Sequence, residues 1–327
     1  MTLPKVSIII PVKPGGEVRA LSGLCLLTYP VELFEVLIAY GLVPSAQRNL
    51  AARQATGELL FFLDDDSRVA SGFLETVAQH YQDLKVAAVG GPSLTPDTDS
   101  TLQRAIGVVL ASAVGGGGVR NRYRKSGRAR FSCDSELILC NLSFRRQVFL
   151  SQGGLDPRLY PNEENELMER LLAGGFLLVH DPELAVYRSQ RPSYPAYVRQ
   201  MFGYGRGRGE QTVLTGKLKP VAFAPSLLLI YTLLLPFFAR GLFALPILFY
   251  LAVVASASLL GALSARDLAL FPRLLLVFPT LHLVYGAGVL RGLFRQRYRG
   301  APSGAEAIEV RRVKAFGEAL QPVIRNA

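Results

Sequence analysis

Apolar runs alternate with amphipathic stretches through the first 90 residues of the chain. Short continuous apolar runs are typical of strands buried on both faces, and apolar residues spaced three and four apart indicate helices. This pattern predicts four strands, at Val6–Val12, Glu35–Ala39, Leu59–Leu63 and Val86–Val89. It also predicts three helices, at Glu17–Thr28, Ala46–Ala55 and Gly72–Asp83. Strands and helices that alternate at this spacing form βαβ units, so we predict an α/β fold with a doubly wound, mainly parallel sheet.

The third predicted strand ends in three consecutive aspartates, Asp64, Asp65 and Asp66. Adjacent carboxylates repel one another and lose hydration beside a packed core, so a cation or a ring of donors usually neutralises them. Ligands of doubly wound sheets bind beyond the carboxyl ends of the strands, which is where this triplet lies. Mg²⁺ needs only one or two protein carboxylates, because water and substrate phosphates complete its coordination. The triplet therefore predicts a Mg²⁺ or Mn²⁺ site. The alternative is a solvated acidic turn that caps the next helix.

A second acidic cluster opens the stretch YPNEENELMERLL, from Tyr160 to Leu172. Its apolar residues have helical spacing, so Glu163, Glu164 and Glu166 fall at or just before the first turn of a helix. Acidic residues at this position are ordinarily explained by capping and by the helix dipole. They are also the residue type that a general base requires.

Four motifs, taken in order, resemble those of the family 2 glycosyltransferases of GT-A fold. They are SIIIPV at the start, a Tyr29-Pro30 turn before EVLIA, RNLAARQATGE ahead of FLDDD, and NEENEL. The resemblance covers roughly residues 5 to 190 and implies a Rossmann-like GT-A catalytic domain. NEENEL, the later YGRGR segment and the hydrophobic C-terminal third are most similar to the membrane-bound exopolysaccharide glucosyltransferases of succinoglycan type.

The resemblance implies roles for the acidic residues. Asp66 matches the direct metal ligand, with Asp64 beside it, and Asp64 or Asp65 would contact the ribose or the donor sugar. Glu164 occupies the position at which the family carries an aspartate as the general base of an inverting transfer. Glutamate is one methylene longer than aspartate, so Glu163 or Glu166 remains an alternative base.

The same resemblance places Pro11, Lys13 and Arg48 at the nucleotide sugar. For Lys13 and Arg48 the alternative is ordinary surface charge. The family usually holds the base with an acidic residue just after the second strand, but this chain has Ala39-Tyr40-Gly41 there. Tyr40 is either a stacking partner for the base or an exposed loop residue.

The middle of the chain contains four glycines, Gly115 to Gly118, followed by six basic residues within eleven positions. They are Arg120, Arg122, Arg124, Lys125, Arg128 and Arg130. We expect a flexible cationic loop without core residues, which either binds a diphosphate substrate or anionic lipid, or remains solvated. A nucleic-acid partner is not expected, because no nucleic-acid-binding module accompanies the loop.

Composition favours a membrane-associated protein. The mean hydropathy is +0.27, charged residues make up only 19% of the chain, and the net charge is +11. Basic and tyrosine residues accumulate from Tyr187 and Arg188 to Lys219, as expected of an interfacial segment on a cytoplasmic leaflet. Within it, Arg206 and Arg208 of YGRGR are predicted to bind the pyrophosphate of donor or lipid acceptor.

Three hydrophobic segments follow, at Val221–Ala239, Leu242–Leu263 and Leu268–Leu290. The first two reach spanning length without a charge, whereas the third contains Arg273, two prolines and His282. Arginines after the third segment favour the cytoplasmic side. We therefore predict two full spans and one partly inserted helix, followed by an amphipathic stretch, Glu306 to Leu320, that lies on the membrane.

The predicted organisation is a glycosyltransferase domain at 1–190, an interfacial segment at 191–219, a membrane region at 220–290 and a basic tail at 291–327. We expect transfer of one sugar from a nucleotide sugar, with UDP as the expected nucleotide, to a polyprenyl-diphosphate-linked saccharide. The reaction would occur at the cytoplasmic face of a bacterial-type inner membrane. The alternative is a non-catalytic partner that binds nucleotide or lipid.

Overall fold

Ten strands form the sheets of the computed structural model, within residues 3–238, 241–296 and 308–321, which are the residues that the structure describes. They are β1 (Val6–Val12), β2 (Phe34–Tyr40), β3 (Leu59–Leu63), β4 (Val86–Gly90), β5 (Ser93–Leu94), β6 (Arg130–Ser132), β7 (Asn141–Arg145), β8 (Leu177–His180), β9 (Val186–Tyr187) and β10 (Glu309–Lys314). Eight of them form one sheet in the order β10-β2-β1-β3-β7-β4-β8-β6, and β5 pairs with β9 in a small second sheet.

The helices of the same described residues surround and extend this sheet. They are α1 (Ala20–Leu24), α2 (Pro44–Gln54), α3 (Phe73–His80), α4 (Thr101–Ala111), α5 (Arg146–Ser151), α6 (Glu163–Ala173), α7 (Tyr194–Thr215), α8 (Ala224–Phe238), α9 (Leu245–Ser264) and α10 (Phe271–Phe294). Local sequence fixes several ends. Ser100 and Gln103 form a capping box at the start of α4, and Gly216 ends α7 with a φ of 67°.

The main sheet is mixed, although the sequence pattern predicted a mainly parallel one. β1 pairs in parallel with β2 and β3 as predicted, and β4 pairs in parallel with β8. However, β7 inserts between β3 and β4 and is antiparallel to both. Its residues are buried or nearly so, and the alternating polar and apolar pattern of NLSFR is the same in either strand direction. The sheet remains Rossmann-like at β2-β1-β3, the part that carries the aspartates.

Apolar side chains cover both faces of this sheet. Ile8, Ile10 and Phe61 point into one core cluster, and their neighbours along the same strands point into the other. In the second cluster the rings of Phe62, Phe144 and Phe149 contact one another at centroid distances of 5.4 to 5.8 Å. Burial on both faces explains the continuous apolar runs and gives the carboxyl end of β3 a rigid support.

Residues of the predicted basic tail join the main sheet. The prediction that the stretch from Glu306 to Leu320 lies on the membrane is therefore wrong for the part that the structure describes. β10 pairs antiparallel with β2, and Glu309 lies opposite Tyr40. Residues 306 and 307 lie outside the described residues. The charged residues of EVRRVK, and the register shift between Arg312 and Lys314, suit an edge strand.

Two basic side chains attach β10 to the sheet. Arg312 Nε lies 2.7 Å from Oε2 of Glu35, whose other carboxylate oxygen accepts hydrogen bonds from Ser7 Oγ and the Thr56 backbone N–H. Lys314 is fully buried and donates from Nζ to the carbonyl oxygens of Val31 and Phe34. The tail is therefore bound by specific contacts to buried groups.

Three helices within the described residues are long and apolar enough to cross a membrane. They differ in how far the protein covers them. The segments Pro220–Phe237 and Gly241–Ser264 are 6% and 11% buried, whereas Leu268–Phe294 is 39% buried. α10 lies along α7, and a Cβ atom at Gly205 or Gly209 of α7 would overlap the backbone of α10. Gly205 of the YGRGR segment and Gly209 directly after it thus permit close helix packing.

We expect the Arg312 to Glu35 contact to stabilise the docked strand. Arg312→Met should lower the free energy of unfolding by about 1 kcal/mol, because it leaves a buried carboxylate without its cation while solvent already screens part of the pair. Chemical denaturation in detergent measures this change. The matched control is Arg311→Met, since the ion pair of Arg311 with Glu309 is exposed and methionine can keep the contact with the Tyr40 ring, so the change should be smaller. Equal losses in the two variants would contradict the assignment.

Candidate active site

The aspartates at the end of β3 are bound by two arginines. Asp64 accepts a hydrogen bond from Arg48 Nη2 at 2.7 Å and forms an ion pair with Arg188 Nη2 at 3.1 Å. Arg188 Nε also donates to Asp66 Oδ1 at 2.8 Å. The predicted alternative of a solvated acidic turn is therefore wrong, because the triplet faces guanidinium groups that the fold brings from two distant segments.

Burial and charge act differently on neighbouring aspartates. Burial opposes ionisation of Asp64, but the guanidinium groups of Arg188 and Arg48 outweigh it and hold its pKa below the usual range. At Asp65, burial and repulsion from Asp66 and Asp64 together raise the pKa. The triplet thus keeps at least one firmly ionised carboxylate, at Asp64.

The second acidic cluster occupies the first turn of α6, as predicted. Glu163, Glu164 and Glu166 are all buried. Glu164 Oε1 lies 3.7 Å from Arg122 Nη1, and Glu166 is held by Arg170 through contacts of 2.6 and 2.8 Å. Among the described residues, Oε2 of Glu163 has no hydrogen-bond partner. Glu166 is committed to its own helix, so the candidates for proton transfer are Glu163 and Glu164.

Glu163 and Glu164 have different electrostatic surroundings. Burial, followed by repulsion from Glu164, raises the pKa of Glu163 to about 8, and the more distant Arg48 offsets this only in part. Two carboxylates this close are difficult to ionise together. At neutral pH one proton is therefore held mainly on Glu163, whereas Oε1 of Glu164 lies 3.7 Å from the guanidinium group of Arg122.

Arg48 joins the two acidic clusters. Its Nη2 binds Asp64, and its Nη1 lies 4.0 Å from Oε1 of Glu163. The residue is only 4% exposed, so the surface-charge alternative considered for Arg48 is wrong. It lies on α2, beside the buried alanines that pack this helix against the sheet. One rigid helix therefore sets the distance between the end of β3 and the start of α6.

A cavity of about 730 Å³ opens beside the triplet. Asp66, Arg188 and Tyr40 line it, together with the loop after β1 at Gly16 to Arg19 and the segment after β9 at Ser189 to Pro192. Tyr40 is 9% exposed at the end of β2, with the Arg311 guanidinium 5.3 Å from its ring centre, so it is not an exposed loop residue. The cavity has the size of a site for a small molecule.

Other predicted site residues lie at the edge of this arrangement or outside it. Lys13 is exposed, Pro11 is half-buried in β1, and neither lines the cavity. Arg206 Nη2 donates to the Tyr160 carbonyl at 2.8 Å and its Nε lies 3.6 Å from Glu210, while Arg208 donates to Gln211. The two YGRGR arginines are thus bound within the protein, near the start of α6.

The basic segment after the four glycines differs from the flexible loop expected. It contains a 3-10 helix, Gly117–Arg122, and Arg122 is only 8% exposed. Arg122 donates to the carbonyl oxygens of Asp134 and Ser135 and to Asn165, besides its contact with Glu164. The expectation of a segment without core residues is therefore wrong for Arg122, because a buried carboxylate compensates its charge.

Sequence reasoning missed two site residues, Arg122 and Arg188. The sequence pattern predicts that Arg188 belongs to the interfacial segment, because it begins a run of basic and aromatic residues. The available signal was its position directly after the short apolar strand β9, since residues at strand ends commonly reach ligands. For Arg122 the sequence offered no signal that separated it from its basic neighbours.

The residues present fit a divalent ion in part. Asp64 and Asp66 supply the carboxylate oxygens that Mg²⁺ and Mn²⁺ prefer, and Asp66 faces the cavity. No cluster of three or more His, Cys, Asp or Glu residues suited to a metal ion occurs in the described part of the chain. Such an ion would therefore depend on water and on substrate phosphates for its other ligands. It would also compete with Arg188 for the carboxylate oxygens of Asp64 and Asp66.

Comparisons with known proteins give a family match for the sequence and similar solved structures for the fold. A family model described as "Glycosyl transferase family group 2" matches residues 59–289. No curated protein matches the sequence significantly. Among solved structures, the mannosyltransferase PcManGT from Pyrobaculum calidifontis, in complex with GDP-Man and Mn²⁺, is similar with a TM-score of 0.54 at 16% identity, over 90% of this chain and 89% of its own. TarS from S. aureus gives a TM-score of 0.44 at 11% identity, over 88% of this chain and 55% of its own.

We expect Glu163 to make the protein less stable as the pH rises. A carboxyl whose pKa is raised by folding contributes stability that is complete below its unfolded pKa of about 4.3 and is lost as the pH rises through the folded value near 8. Glu163→Gln, which resembles the neutral acid, should exceed the wild type in free energy of unfolding by an amount that grows between pH 5 and pH 9, by up to about 4 kcal/mol, since each pH unit between the unfolded and folded pKa contributes about 1.4 kcal/mol. Denaturation curves at the two pH values measure the difference.

Glu166→Gln provides the control, because Glu166 lies on the same turn but is paired with Arg170. It should lower stability at both pH values alike. If the Glu163→Gln and wild-type stabilities run parallel from pH 5 to pH 9, Glu163 is not the buried acid that we describe.

Proposed function

Because the chain belongs to glycosyl transferase family group 2, we propose that it is an inverting glycosyltransferase that moves a single sugar from a nucleotide sugar to a membrane lipid-linked saccharide. The observation that carries the proposal is the position of Arg48. Its guanidinium contacts Asp64 at 2.7 Å and approaches Glu163 at 4.0 Å. We assign Asp64 to donor binding and the pair Glu163 and Glu164 to proton transfer. Both sites thereby lie within reach of one arginine side chain.

Glu164 is the proposed general base. Its carboxylate, 3.7 Å from Arg122, can accept the proton of an acceptor hydroxyl as that oxygen attacks the anomeric carbon. Glu163, largely neutral at pH 7, is a hydrogen-bond donor in the same turn. The two carboxyls thus have different surroundings and different proposed roles, as in other enzymes with paired acids.

The donor is proposed to occupy the cavity between Tyr40 and Asp66. Arg188 lines this cavity and carries positive charge that an anionic diphosphate requires, and Tyr40 offers a ring to the base. A divalent ion on Asp66 and Asp64 would neutralise negative charge that develops on the departing nucleotide diphosphate. The similar Pyrobaculum mannosyltransferase was solved with GDP-Man and Mn²⁺, which supports both a nucleotide-sugar donor and a divalent ion. We propose UDP or GDP as the nucleotide.

The acceptor is proposed to arrive from the membrane side, in assembly of an exopolysaccharide or another cell-envelope glycan. α7 leads from the wall of the cavity to the apolar helices and carries Arg206 and Arg208 beside Tyr160. An acceptor whose lipid lies in the bilayer would bring its saccharide to this helix. The likeness to succinoglycan-type transferases supports the same proposal.

We further propose that α8 and α9 cross the membrane as a hairpin and that α10 lies at its surface. Both ends of the hairpin are attached to the sheet domain: Lys219, before α8, pairs with Asp134 and Glu169, and Asp267, after α9, pairs with Arg104. α10 packs on α7, and β10 then pairs with β2. An even number of crossings returns the chain to the side from which it started, as this pairing requires.

Glu164→Gln should reduce the transfer rate by about 10²- to 10⁴-fold, because it removes the group that accepts the acceptor proton. Asp66→Asn should cause a loss of similar size through weaker donor binding. Release of nucleotide from UDP-, GDP- and dTDP-sugars in detergent with Mn²⁺ measures both. Glu166→Gln, whose residue is held by Arg170, should stay within about tenfold of the wild type. Equal activity in all four proteins would falsify the mechanism, and tight nucleotide binding without turnover in the wild type would favour a non-catalytic partner.

Single cysteines test the crossing number. With the other cysteines replaced by serine, exposed Cys133 reports the sheet domain, Ala319→Cys reports the tail beyond β10, and Leu242→Cys reports the turn region between α8 and α9. A membrane-impermeant maleimide applied to sealed vesicles should label the first two from one side and the third from the other. Labelling of the Ala319→Cys protein together with the Leu242→Cys protein would mean three crossings.

A further inference from the structure

Arg188 forms a bridge between two carboxylates of the triplet. Its Nη2 lies 3.1 Å from Asp64 Oδ2, and its Nε lies 2.8 Å from Asp66 Oδ1. Asp64 Oδ1 is bound by Arg48, so both oxygens of Asp64 contact a guanidinium group. A cation that binds to Asp64 and Asp66 together must therefore displace Arg188 from at least one of them.

The main chain around Arg188 is anchored. The Arg188 N–H donates to the Leu94 carbonyl at 2.9 Å, and Tyr187 exchanges two backbone hydrogen bonds with Arg68. Beyond it, Ser189 Oγ donates to Asp99 at 2.7 Å and Gln190 donates to Thr95 at 3.1 Å. Arg188 can thus leave the aspartates by rotation of its side chain, without any rearrangement of the backbone.

The space that would receive the rotated side chain is the cavity of about 730 Å³, which Arg188 already lines. Arg188 also lines a second, much smaller space, together with Tyr123 and with Gln200 and Tyr204 of α7. The side chain therefore lies between the donor cavity and the start of α7.

We propose that Arg188 is an internal counter-cation that excludes a divalent ion from Asp64 and Asp66 until a nucleoside diphosphate enters the cavity, so that ion and diphosphate bind together. The inference rests on the proposed nucleotide-sugar function. A divalent ion alone would place two positive charges beside a guanidinium that has lost its partners. A diphosphate supplies anionic oxygens in the geometry that a guanidinium binds best, so Arg188 then has a new partner while the ion takes the carboxylates.

Mn²⁺ binding to the full chain in detergent tests this, measured by titration calorimetry with and without saturating UDP or GDP. Arg188→Gln should bind Mn²⁺ alone at least tenfold more tightly than the wild type does. The factor by which nucleotide raises Mn²⁺ affinity should fall by a similar amount, because without Arg188 no side chain has to be displaced from the aspartates by the nucleotide. Arg188→Lys keeps the charge but cannot bridge both aspartates, so its affinity for Mn²⁺ alone should lie between the two.

Arg191→Gln is the matched control for charge alone. Arg191 lies on the same segment, and its charge acts on Asp64, but among the described residues it makes no ion pair with the triplet. Its removal should change Mn²⁺ affinity by less than about threefold, since an exposed charge at a distance is screened. Thermal unfolding in detergent confirms that each variant is folded, and Arg188→Lys keeps the test open if Arg188→Gln is not.

Equal tightening in Arg188→Gln and Arg191→Gln would overturn the proposal, as would weaker Mn²⁺ binding in Arg188→Gln or an absence of Mn²⁺ binding in every protein. The readout needs no turnover, so it is separate from the transfer assay. If transfer fails while the Mn²⁺ pattern holds, the proposed reaction is wrong and the role of Arg188 stands.

Discussion

The buried guanidinium of Arg48 is the interaction on which the site depends. An arginine that is 4% exposed loses most of its hydration, and such a group is stable only where carboxylates compensate it. Asp64 provides that negative charge from the end of β3, and the carboxyl group of Glu163 lies 4.0 Å away at the start of α6. The requirement is mutual, because neither carboxylate would be easily buried without the cation. Charge balance therefore fixes the position of α2 relative to both acidic clusters.

The same principle extends across the whole site. Three arginines, Arg48, Arg122 and Arg188, face carboxylates of the two clusters, and each comes from a different part of the chain. The partners in these ion pairs are of the kind that a phosphate group or a divalent ion can replace.

Local sequence patterns predicted the parts of the fold that local physics controls. β1 and β3 begin and end at the predicted residues, because burial on both faces produces uninterrupted apolar runs. The aspartates after β3 and the glutamates at the start of α6 were predictable because each group adjoins a clear local pattern, an apolar strand and a helix. Pairings between distant segments were not predictable: β7 enters antiparallel, β10 returns from the C-terminal end, and Arg188 meets Asp66 from 122 residues away. Composition also misled, since Arg48, Arg122 and Lys314 are buried cations that contribute nothing to an exposed basic surface.

The position of β10 has a consequence for how the protein is made. The strand that completes the sheet next to β2 comes after the three long apolar helices in the sequence, so it emerges from the ribosome after them. Until then the backbone groups of β2 form an open edge, and the carboxylate of Glu35 lacks Arg312. The main sheet is therefore completed only after helices that are long enough to cross a membrane have been synthesised.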